Sequence, residues 1–80
     1  MKIFKDIPNN IWNEGAECKV WLGDDGYVYK AYKKIRLIDD LKRRLEALNS
    51  LPEYETEELY GYIPDKNIYV TRQKKLKDWE

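Results

Sequence analysis

The chain has 80 residues, enough for one domain close to the size below which a single core needs disulfide or metal staples. Apolar residues make up 42% and charged residues 38%, with seven tyrosines and three tryptophans, a composition that folds and does not stay disordered. One cysteine and no histidine exclude a disulfide scaffold and imidazole catalysis and argue against a zinc centre, and a formal charge of zero argues against a binder that works by neutralising many phosphates.

Residues 1–10 read as an extended N-terminal arm, with Ile3, Phe4 and Ile7 able to dock on a core and Pro8, Asn9 and Asn10 turning the chain. Ile11, Trp12 and Asn13 suggest a short first strand. Residues 17–22 alternate, with Cys18, Val20 and Leu22 on one face and Lys19 and Trp21 on the other. Gly23, Asp24, Asp25 and Gly26 form a hairpin loop, because the Asp-Gly pair supplies the positive-φ residue that such a turn needs. Residues 27–32 alternate again, with Val28, Lys30 and Tyr32 sharing a face.

The period changes over residues 37–51. Leu37, Ile38, Leu41, Leu45 and Leu48 fall at helical spacing and predict a core-facing stripe. Asp39 and Asp40 suit the positive end of the helix dipole, and Asn49, Ser50 and Pro52 predict its stop. An acidic connector follows. Residues 58–63 and 67–71 read as two strands joined by a turn at Pro64 to Asn67. The tail from residue 74 reads as a last helical turn or a frayed end. The expected fold is α+β: an antiparallel sheet of about five strands with one amphipathic helix between strands 3 and 4, in a single domain with its core over residues 11–73.

The ordered set of Gly15, Glu17, Val20, Trp21, Leu22, Asp25, Gly26, Val28, Lys30, Gly61 and Tyr62 resembles the small lobe of a protein kinase. It is most similar to kinase-like proteins of phages and mobile elements in gut bacteria. Aligning Val20 on the valine of G-x-G-x-x-G-x-V puts Gly15 at the central glycine, Asn13 at the first and Cys18 at the third. The run from Tyr27 to Lys30 is similar to V-A-I-K. The resemblance implies Lys30 as the phosphate-pairing lysine, Val28 near an adenine, and Glu46 (or Asp40) as the helix acid that pairs with Lys30. The chain stops where a kinase begins its large lobe, so the resemblance also implies a small lobe without the catalytic Asp, Asn and D-F-G residues.

Read from the residues themselves, Lys30 is a strand lysine with its stem on the sheet, Gly15 a turn glycine and Cys18 a small buried hydrophobe. Trp21 either faces outward, forming a contact patch with Tyr27 and Tyr29, or is covered by the arm. Charge is segregated: residues 33–44 carry six basic and two acidic groups, and residues 45–65 carry six acidic groups and no basic one. The expected function is a non-enzymatic module, without cofactor or metal, that contacts a host protein such as a defence enzyme (an anti-CRISPR role included). Trp21, Tyr27, Tyr29, Arg43 and Arg44 are its contact candidates. The alternatives are a nucleotide-binding kinase-like remnant or a fragment of a longer kinase-like protein, and, less favoured, nucleic-acid binding or mimicry. With no sustained apolar run at the N-terminus, the expected location is the cytoplasm, that of a bacterial host if the protein is phage-encoded.

Overall fold

The computed structural model describes residues 1–74, which form a six-stranded mixed sheet with one helix. In chain order the elements are β1 (Lys2–Ile3), β2 (Ile11–Glu14), β3 (Cys18–Leu22), β4 (Tyr27–Tyr32), α1 (Ile38–Asn49), β5 (Glu57–Ile63) and β6 (Ile68–Lys74). Across the sheet the order is β1-β5-β6-β4-β3-β2.

This corrects the expected fold in two respects. The sheet is mixed, because β1 pairs parallel with β5 (Lys2 with Gly61, Ile3 with Tyr62) while every other pair is antiparallel. The helix accordingly follows the fourth strand, not the third. The physical cause is the arm. Two residues with no alternating pattern of their own become a strand because β5 offers an open edge, and the Phe4 N–H extends the pairing to the Tyr62 carbonyl at 2.9 Å. Gly61 makes room for this approach: a Cβ there would sit 2.8 Å from the Lys2 carbonyl and collide with the Phe4 ring.

The arm also explains why both faces of the central strands are buried. On one face Trp21, Tyr29, Ala31, Ile63, Ile68 and Val70 form a cluster that Phe4, Ile7, Ile11 and Tyr60 cover. On the other, Leu41 and Leu45 of α1 pack on Tyr32, with Cys18, Ile35, Leu59 and Tyr69 around them. Alternation in β4 therefore separates two cores, with Tyr29 and Ala31 toward the arm and Val28, Lys30 and Tyr32 toward the helix. A register shift between Leu59 and Gly61 lets β5 insert one extra residue.

Two further expectations are corrected here. Leu37 caps the helix in extended conformation and is 65% exposed, so the apolar stripe of α1 begins one residue later and centres on Leu41 and Leu45. The last strand runs on to Lys74 because β4 offers partners as far as Tyr27. The expectation for the tail beyond residue 74 falls outside the described residues. The two turns behave as their sequences require: Gly26 adopts φ +82° and Asn67 φ +52°.

Candidate functional site

The helix face of the sheet holds a buried polar centre built around Glu57. Glu57 opens β5, shares a face with Leu59 and is almost wholly buried. Asn49, at the end of α1, fixes its backbone from both sides: Nδ2 donates to the Glu57 carbonyl and Oδ1 accepts from the Glu57 N–H, each at 2.9 Å. The carboxylate then receives four donors. Tyr32 Oη (2.5 Å) and Thr71 Oγ1 (2.6 Å) donate to Oε2, while Lys30 Nζ (3.1 Å) and Tyr54 Oη (2.5 Å) donate to Oε1. Lys30 also donates to Tyr54 Oη at 3.1 Å, and its ammonium lies 5.6 Å from the centre of the Tyr54 ring.

The arrangement decides the charges. Burial pushes the Glu57 pKa upward, but donors from Thr71, Tyr32 and Tyr54 and the charge of Lys30 outweigh it, so the carboxyl lies below its ordinary value. Burial likewise opposes the Lys30 charge and loses to the Glu57 carboxylate, leaving the ammonium above its ordinary value. Burial, then the bonds to Glu57, push Tyr32 and Tyr54 up, and burial pushes the Cys18 thiol up. Each group is thereby held in its ordinary protonation state at neutral pH: a cationic lysine, an ionised carboxylate, neutral phenols and a protonated thiol.

The residues expected to hold a nucleotide are not brought together around an open space. Lys30 is in place, but its partner is Glu57 from β5 and not Glu46, which is exposed on the far side of α1 beside Arg43, Ala47 and Ser50. Asp40 is exposed as well. Val28 is fully buried under the helix side of the sheet. Gly15 lies on an exposed loop, where its N–H donates to the Cys18 carbonyl at 2.9 Å and only one neighbouring atom comes within 4 Å of a Cβ position.

Of the contact candidates, Trp21 and Tyr29 are 5% and 7% exposed, stacked on each other beneath Phe4. The arm covers them, and an outward patch of Trp21, Tyr27 and Tyr29 does not form. Tyr27 is half-buried under the Arg72 guanidinium, which lies 4.4 Å from its ring centre. Arg43 is exposed, and Arg44 forms an ion pair with Glu17.

The sequence marks neither Tyr54 nor Thr71, and it offers Glu57 only as one of the connector acids, with Glu53, Glu55 and Glu58, that could mimic phosphate. A signal was present: at β-spacing Glu57 falls on the same face as Leu59, and a carboxylate on a core-facing position needs partners. Among the described residues no group of three His, Cys, Asp or Glu side chains is placed to hold a metal ion, and no helix is long and apolar enough to cross a membrane. Comparison with protein-family models, with curated proteins and with solved structures found no match.

Proposed function

We propose that this chain is a small non-enzymatic interaction module, of phage or mobile-element origin, that binds a host protein and inhibits it. The supporting observation is the state of the polar centre. Catalytic use would call for a lysine or cysteine moved down toward its nucleophilic form, or a carboxyl moved up toward an acid. Lys30 and Glu57 are shifted in the opposite directions by partners that also lock them in place, and burial shifts Cys18 in the opposite direction as well. Such a centre specifies a fold: it pins the connector carrying Tyr54 and the end of α1 to the sheet through Glu57. The rigid scaffold then serves recognition by its surface.

The experiment is affinity capture with the tagged chain from a bacterial host lysate, followed by reconstitution with the purified partner. A stoichiometric complex that changes the partner's activity supports the reading. Failure to recover a reconstitutable partner from candidate hosts argues against it.

A further inference from the structure

On the arm face, between the β3–β4 turn and the N-terminal strand, four aromatic rings wall a cavity of about 220 Å³, against roughly 30 Å³ for one water molecule. Trp21 and Tyr29 stack with centroids 5.7 Å apart and 12° between planes. Phe4 meets Trp21 edge-on at 6.2 Å and Tyr60 at 6.1 Å, and Tyr60 closes on Tyr29 at 5.5 Å. The floor is buried, while the rim residues Lys2, Asp24 and Asp25 are exposed. Gly23 keeps the wall tight, since a Cβ there would lie 2.5 Å from the Tyr29 ring and 2.6 Å from the Asp25 carboxylate.

The chemistry of this cavity selects a cation. Aromatic faces are electron-rich, and a cation over them gains most where water is partly excluded. Asp25 is fixed at the rim as an anion, accepting from the Tyr29 hydroxyl and, at 3.1 Å, from the Tyr27 N–H. Asp24 adds a second carboxylate with no partner among the described residues. The protein already places its own cations on these rings. Lys2 Nζ sits 5.3 Å from the Phe4 centroid, and the Arg72 guanidinium lies between Tyr27 and Tyr60 at 4.4 and 4.5 Å.

We propose that this cavity receives an arginine side chain of the protein partner, stacked on the half-buried Phe4 ring at its mouth with Asp24 as its counter-ion. Lys2 is the internal cation that the guest displaces from the rim. Guanidinium suits the site better than ammonium because it is planar, weakly hydrated and able to stack and bond a carboxylate at once. The Tyr27–Arg72–Tyr60 sandwich displays that mode one strand away. The inference rests on the partner-binding function above and names the chemistry by which the partner is held.

The test is an amide NMR titration of the full chain, ¹⁵N-labelled, with Nα-acetyl-arginine N-methylamide. The matched citrulline compound has the same shape without the charge. Expected are saturable shifts at the Trp21 indole and the Gly23 and Asp24 amides in the millimolar range, with none from citrulline. Asp24→Asn should weaken binding about threefold or more, and Lys2→Ala should strengthen it about twofold. Absence of saturable shifts, or equal shifts with citrulline, overturns the proposal. These results need no partner, so they separate the two readings. If the captured partner binds wild type and Asp24→Asn equally, the interaction module stands and the arginine pocket falls.

Discussion

Replacing Glu57 with alanine should be the most damaging single change on the helix face. The substitution removes the acceptor of four donors and leaves the Lys30 side chain, only 17% exposed, without its counter-charge. Hydrogen bonds to a charged group contribute about 1.5–3 kcal/mol each, but the freed hydroxyls of Tyr32, Tyr54 and Thr71 can turn toward one another or admit water. Loss of one partner of a buried ion pair, at about 3–5 kcal/mol, is the better guide. An 80-residue domain has about 4–12 kcal/mol in total, so Glu57→Ala should sit near the edge of folding. Glu57→Gln keeps the shape and a carbonyl acceptor and should cost about half as much. Lys30→Met keeps the apolar stem and leaves Glu57 with three hydroxyl donors and able to take up a proton, so it escapes the full ion-pair penalty and should cost about 1–2 kcal/mol. Urea unfolding followed by circular dichroism gives the three values, with melting temperatures falling about 4–8 °C per kcal/mol at this size. The predicted order is Glu57→Ala, then Glu57→Gln, then Lys30→Met. A Lys30→Met cost equal to that of Glu57→Ala would reduce the centre to a simple ion pair and refute the account of Glu57 as its hub.

The acid limb of the stability profile should come largely from the same carboxylate. Its folded pKa lies below the ordinary 4.5, so its contribution is present above pH 4.5 and disappears as pH falls through the folded value. Glu57→Gln should flatten that limb in urea midpoints taken between about pH 3 and 6, and an unchanged slope would assign it to other groups. At the alkaline end, the raised Lys30 pKa gives a contribution that is complete below 10.5 and lost as pH rises through the folded value; Lys30→Met should remove that part of the fall. Phe4→Ala should cost about 2 kcal/mol, since the ring is half-buried, and should red-shift tryptophan emission by uncovering Trp21; unchanged emission would mean that the arm does not seal that face. Gly61→Ala should reproduce part of this effect, at about 1–3 kcal/mol, because the added methyl meets the Lys2 carbonyl and the Phe4 ring.

The elements were legible where local pattern decides them. β3, β4 and α1 follow from alternation, an Asp-Gly turn and a leucine stripe, and β4 spans the residues that the pattern marks. The pairing of β1 was not legible, because two residues carry no period and the parallel contact with β5 depends on an edge that exists only after folding. Without that strand the pattern counts three strands before the helix, where the fold has four. The same arm decides the fate of Trp21: alternation puts it opposite Val20, but only the tertiary contact with Phe4 settles whether that face is wet or covered. Lys30 was legible as a residue worth attention, but its partner was not: the kinase resemblance points to Glu46 on α1, which is exposed, and the ion pair is made with Glu57. Glu57 belongs to a connector that reads as solvated until the Asn49 amide turns its first strand residue inward.

The central claim is that Lys30 is held by Glu57 and Tyr54 for structure and is not a phosphate ligand. The measurement that tests it most directly is an amide NMR titration of the ¹⁵N-labelled chain with Mg-ATP to millimolar concentration. The account predicts no localised, saturable shift at Gly15, Val28 or Lys30, with the centre's resonances unmoved. Saturable shifts at those three positions that vanish in Lys30→Ala would contradict it and return the lysine to a nucleotide.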